Sequence, residues 1–326
     1  MKRKIVTVVI LLVLGAFIFE ILTNSSSILD SVNFSIGIWK NNIFPLLFPF
    51  FVVTEIAIHY GVVEFLAELF KPIMQKVFKI NSNSAFVFGM SMISGFPSSA
   101  KYARELYLNG LLNEYEASKV LTFSYFSNPL FILGTVSVLF LNNKEVGLLI
   151  LLCHYLTNII IGIVFRNYYP SETKREKTSF KQALINMHNK RINNDLTFGK
   201  IITNSLVNSI NTLLLILGVI SMFLVITQVI DNNLNISNYL QTILNGFIEM
   251  TQGLKYISLL YIPLKLKSTL STMIISFGGL SVHVQMISIL SDTKIKYLPF
   301  LIARILHAVI SSLLVFIMFD FWILYI

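Results

Sequence analysis

An all-α, polytopic membrane protein made of two inverted repeats is the fold class this sequence predicts, and three observations predict it. Charged residues make up 13% of the 326 positions and hydrophobic ones 55%, against roughly 25% charge in a soluble domain. Apolar runs at residues 5–22, 146–165 and 213–230 approach the ~20 residues needed to cross a ~30 Å hydrocarbon core. One polar stretch, 166–200, divides the chain into comparable halves in which the same element order recurs with opposite orientation.

Lys2, Arg3 and Lys4 precede an apolar run to Phe19. The run is too long for a signal peptide and lacks a small-x-small cleavage site, so residues 1–26 read as an uncleaved signal anchor, inside to outside. Residues 27–166 form the first repeat. Within it, 27–41 reads as an outer interfacial helix and 43–60 as an inward span. The amphipathic stretch 62–80, with Glu64, Glu68, Lys71, Lys76 and Lys79, lies on the cytoplasmic face. Residues 84–93 are too few to span. They lead through Ser94-Gly95-Phe96-Pro97-Ser98-Ser99 into polar 100–109, which carries Lys101, Arg104 and Glu105. That combination predicts a re-entrant hairpin opening to the cytoplasm. Residues 116–141 cross outward, broken at Ser127-Asn128-Pro129 because proline removes a donor, and 146–165 return.

Residues 167–199 are the cytoplasmic loop. Lys174, Arg175, Lys177, Lys181, Lys190 and Arg191 outnumber Glu172, Glu176 and Asp195 there, as the positive-inside rule requires. The second repeat, 200–326, has an outward span at 201–230 and an interfacial helix at 236–250. A second hairpin follows at 268–290, turning on Gly278-Gly279-Leu280-Ser281, and 297–326 cross back inward. Lys255, Lys265, Lys267, Lys294 and Lys296 then fall outside, against the charge rule.

The net charge of +9 sits in loops and juxtamembrane segments, where anionic lipid accounts for it. No basic-aromatic module points to nucleic acid. The lone Cys153 excludes an intrachain disulfide and a cysteine metal cluster. No HExxH, Walker or GxGxxG pattern is present, so no catalytic residue, metal or cofactor is expected.

What remains are three helix breaks, tolerated at membrane depth only inside protein or beside a water-filled cavity. Helix starts expose unpaired amides and partial positive charge that suit an anion. The candidate substrate site is therefore Gly95, Pro97, Ser98, Ser99, Lys101, Ser127, Asn128, Gly278, Gly279, Ser281 and Gln285. Gly279 and Gln285 align with Gly95 and Lys101 without gaps. The serines read either as caps alone or as caps that also touch ligand. Lys101 reads as a substrate-facing cation or a snorkelling one, and Arg104 likewise. Glu55 and His59, four apart, are an interfacial pair or a Na+ or H+ coupling pair. His154, beside Asn158, reads as a satisfied core histidine. The expected partners are a small anionic solute and the bilayer, and a homo-oligomer is compatible.

Leu46-Leu47-Phe48-Pro49-Phe50-Phe51, Ser94 to Lys101 and Phe126-Ser127-Asn128-Pro129-Leu130-Phe131 together resemble the sporulation integral membrane proteins of the YlbJ type. These belong to the wider nucleoside-recognition or gate proteins, which look like concentrative nucleoside transporters. The resemblance spans about residues 41–319. It implies dipicolinic acid as cargo, moved across the outer forespore membrane of a sporulating bacterium. In the second half the proline is missing and Gln285 stands for lysine, so a symmetric two-lysine site is not expected. A non-transporting scaffold or signalling component of the sporulation machinery is the alternative.

Overall fold

The computed structural model describes residues 2–169, 179–234 and 237–325. Glu172, Lys174, Arg175, Glu176 and Lys177 of the basic loop, and position 236 of the expected interfacial helix, lie outside them. Among the described residues the only regular elements are helices. Four are long and apolar enough to cross a membrane, five if one bent pair counts as a single span.

Helix α1 (Lys2–Thr23) precedes α2 (Ser25–Ile38), which passes through a π-helical turn, Trp39–Ile43, into α3 (Phe44–His59). The chain bends by 52° there. Pro45 and Pro49 lack amide donors at this point, and a π turn is itself a common site of kinking. α2 does not lie by itself as an interfacial helix. It runs antiparallel along α10 (Phe198–Asn233), with Ser31 bonded to Gln228, Ser35 to Ser221 and Trp39 to the Leu213 carbonyl. Leu47 and Phe51 of α3 interdigitate with Leu213, Ile216, Ile220 and Leu224, the three-to-four spacing of one helical face.

The amphipathic α4 (Val62–Pro72) carries α9 (Phe180–Ile192) on its back. Phe65 meets Phe180 edge to face, and Lys190 reaches Glu64 at 3.9 Å. Gly61, at φ +80°, admits the approach, since a Cβ there would lie 2.5 Å from the Met187 carbonyl oxygen.

Next comes the first hairpin, α5 (Ser84–Ser94) and α6 (Ser98–Leu108). Each arm has 11 residues, about 16 Å at 1.5 Å per residue, half the thickness of a bilayer core. α7 (Glu114–Phe123) starts on an Asn113/Glu116 capping box. It stops at Ser124, and helix resumes at Pro129, leading into the π-helical stretch Phe131–Phe140. α8 (Lys144–Val164) follows.

The second half departs from expectation, and the departure is physical. Residues expected to form an interfacial helix fold as α11 (Asn238–Ile248), which doubles back on α12 (Met250–Leu259) through the single residue Glu249. This is the second hairpin. Its arms touch backbone to backbone at Gly246 and Gly253, where a Cβ on either would collide. The expected hairpin at 268–290 is instead α13 (Leu264–Phe277) and α14 (Gly279–Ile289), continuing in nearly one direction as a single 26-residue span, Leu264–Ile289. Gly278, at φ +92°, interrupts that span without reversing it, and its amide still bonds the Ile274 carbonyl at 2.8 Å.

One crossing therefore shifts, and α15 (Leu298–Tyr325) starts on the other face. Arg104 of α6 pairs with Asp292, and the Lys296 amide donates to Ser118 of α7. Residues 290–297, including Lys294 and Lys296, thus sit on the basic-loop face, which corrects the outside placement of both lysines. α15 runs antiparallel to α8, with Arg304 meeting Asn158, His307 the His154 carbonyl and Trp322 the Glu145 carbonyl.

A cavity between two hairpin tips

The first break, 124–128, leaves backbone groups that the helix no longer pairs, and several find partners inside the protein. The Phe126 carbonyl accepts the Phe96 amide at 2.7 Å. Asn128 accepts the Leu130 amide at 2.8 Å and donates to the Ile93 and Ser94 carbonyls, both at 3.1 Å. It thereby ties the end of α5 to the break. Gly95 is obligatory here: it holds φ +78°, and a Cβ would fall 2.5 Å from the Asn128 nitrogen. The Ser127 amide donates to His154 Nε2 at 3.0 Å. That nitrogen is therefore an acceptor, so the ring proton sits on Nδ1, which faces Ser276 Oγ at 3.0 Å. Ser311 donates to the same oxygen. His154 is thus satisfied, as expected, and it joins the first break to α13 just before the second.

Arg304 holds the other side. Its guanidinium is fully buried with no carboxylate partner among the described residues. It donates to the carbonyls of Thr122 at 2.7 Å and Tyr125 at 3.1 Å, and to Asn158 Oδ1 at 3.2 Å. Those carbonyls belong to the carboxyl end of α7, where the helix dipole is negative. The Tyr125 and Phe300 rings lie 5.4 and 5.5 Å from it. His307 Nε2 donates to the His154 carbonyl at 2.9 Å, leaving Nδ1 to accept from Arg304 at 3.2 Å. Sequence reasoning missed Arg304 and His307. A charged residue inside an apolar terminal span was the available signal.

Between the two hairpin tips is a cavity of about 340 Å³. Phe96, Pro97, Ser127 and Asn128 line it from the first tip and break. Glu249, Met250, Thr251 and Gln285 line it from the second tip and α14. Asn41 and Asn42 with Ile216 and Ile220 close it from the α2–α3 junction and α10. No lysine or arginine is among these lining residues.

Of the candidate residues named from the sequence, Pro97, Ser127, Asn128 and Gln285 line the cavity. Gly95, Gly278 and Gly279 are not among its lining residues. Ser98 and Ser99 do not cap α6, whose N-cap is Pro97; they are its first two residues, fully buried. Ser281 does not cap α14 either, and is fully buried. Gly279 is not the counterpart of Gly95, since one sits in a span and the other at a hairpin tip. Lys101 does not line the cavity. Its ammonium is 3.0 Å from Glu55 Oε2 and 4.8 Å above the Phe51 ring. Glu55 also accepts from Asn208, and so is engaged by Lys101 and Asn208 rather than by His59. Arg104 faces outward to Asp292. The residue most conspicuously missed is Glu249, an acid with no glycine-proline turn to announce it.

A polytopic helical membrane protein with two half-length hairpins docked on two interrupted spans is the class this arrangement defines. A family model described as nucleoside recognition (Gate) matches residues 42–144, which run from the α2–α3 junction through the first hairpin and first break. The sporulation integral membrane protein YlbJ of Bacillus subtilis (strain 168) is 31% identical over 338 aligned residues, covering 95% of this chain and 83% of that relative. The chain belongs to this family of sporulation integral membrane proteins. No solved structure matches it.

Proposed function

We propose that the chain is a membrane transporter whose solute binds between the two hairpin tips. The observation that carries this reading is the cavity itself, walled by both tips and one interrupted span from each half. Such breaks are the usual means of bringing backbone dipoles to a solute at mid-membrane. The order span, hairpin, interrupted span, span recurs, and the corresponding spans α3 and α10, like α8 and α15, run antiparallel. That supports an inverted repeat.

The solute in this reading is anionic, and the family resemblance makes it dipicolinic acid crossing the outer forespore membrane. The amino end of α6, whose N-cap Pro97 lines the cavity, offers partial positive charge. Ser127 adds a buried hydroxyl with no protein partner among the described residues. Phe96 and Phe131 add aromatic rings to the lining, which suits a planar aromatic solute. Liposomes holding the purified protein should take up labelled dipicolinate, and Asn128→Leu should insert normally yet carry little. Uptake no faster than in empty liposomes would rule the reading out.

A further inference from the structure

An anion held in this cavity meets a carboxylate, and no fixed cation among the lining residues offsets the two. Glu249 is 1% exposed and makes no ion pair among the described residues. Its Oε2 accepts the Gln252 amide at 2.9 Å, and its Oε1 lies 3.3 Å from the Thr251 hydroxyl. A hydroxyl both donates and accepts. Thr251 can therefore donate to Oε1 when the carboxylate is bare and accept from it when it carries a proton. Both protonation states are accommodated without moving the hairpin. Asp231 on α10 is engaged by Asn245, Gln252 and Tyr256. His283 on α14 is engaged by Tyr297 and the Phe277 carbonyl, and Lys255 of α12 lies over Phe34.

We propose that Glu249 is the proton-loading group of the transport cycle. A proton from water on the loading side binds a Glu249 carboxylate oxygen, offsets one negative charge beside the anion, and leaves to water on the other side with the solute. The idea rests on the transporter reading above, so its test has an arm that needs no transport. Dicyclohexylcarbodiimide modifies protonated carboxyls in apolar surroundings. On the purified full chain it should mark Glu249 by peptide mass spectrometry, with labelling lost as the pH rises and with added dipicolinate. In liposomes an imposed pH gradient should drive dipicolinate accumulation. Glu249→Gln should abolish that accumulation, while Glu249→Asp should keep it with a shifted pH dependence. Absence of label on Glu249 at every pH, accumulation driven by a Na+ gradient instead, or pH-driven accumulation surviving in Glu249→Gln would each overturn the proposal. Wild-type liposomes that carry no dipicolinate while Glu249 labels normally would sink the transporter reading instead.

Discussion

The two hairpins do the same architectural job with different chemistry. Each is held to a long neighbouring span by one acid. Glu55 on α3 binds the first hairpin through the Lys101 ammonium, whereas Asp231 on α10 binds the second through the neutral Asn245, Gln252 and Tyr256. At the tips the pattern is reversed. The first tip, Gly95-Phe96-Pro97, presents no charge to the cavity, and the second presents Glu249. Charge is thus used for anchoring in the first half and left facing the cavity in the second. The breaks differ as well. The first opens the helix over five residues, 124–128, with His154 and Arg304 bonding its backbone and Asn128 the Leu130 amide just beyond. The second needs two consecutive glycines at positive φ, Gly278 and Gly279.

That contrast can be broken or sharpened by substitution, and the largest effect is expected at the charged anchor. Removing one member of a buried pair strands the other, at about 3–5 kcal/mol. Lys101→Met should therefore lower thermal stability in detergent steeply. Most of it should return when Glu55→Leu is added, a recovery that a solute-facing lysine would not give. Next come the glycines. Gly95→Ala should cost more than the ~1–2 kcal/mol of left-handed strain, because its Cβ meets Asn128 backbone at 2.5 Å. Gly278→Ala should cost only that strain, since its Cβ meets nothing nearer than Val282 at 3.4 Å. Equal losses of folded protein in the two would mean that the breaks are built alike. Third, Asp231→Asn keeps a partner for the neutral anchor, and its destabilisation should stay near ~1 kcal/mol.

The smallest effect is expected at the exposed Arg104–Asp292 pair, worth about 0–1 kcal/mol. The Arg104 guanidinium, through hydrogen bonding first, holds the Asp292 carboxyl below its ordinary value of 3.8. A lowered acid adds stability above the unfolded value and loses it as the pH falls through the folded one. Unfolding midpoints of the wild type and Asp292→Asn should therefore differ slightly at neutral pH and converge in strong acid. A difference that grows on acidification would contradict the pairing.

Local chemistry was enough for the backbone course of the first hairpin and break. A stretch of eleven residues cannot span, Gly-Phe-Pro forces a turn, and Asn-Pro removes a ladder bond, so the first hairpin, its break and Asn128 were all legible. The class of protein was legible too, because low charge and long apolar runs admit little else. Composition was equally able to place the basic loop on one face. The direction of the chain across Gly278 was not legible. A left-handed glycine permits both a reversal and a straight interruption, and the packing of α13 and α14 against α15, α10 and α11 selects the second. Nor did any turn residue mark Glu249, where the reversal is set by Gly246 and Gly253 letting two arms touch. The partners of Lys101 were equally out of reach, since Glu55 and Asn208 lie 46 and 107 positions away in either direction. Residues that determine backbone geometry act within one turn of themselves and can be read in order. Which charge meets which, and which face a helix end reaches, is decided by neighbours distant in sequence, and only the folded chain brings them together.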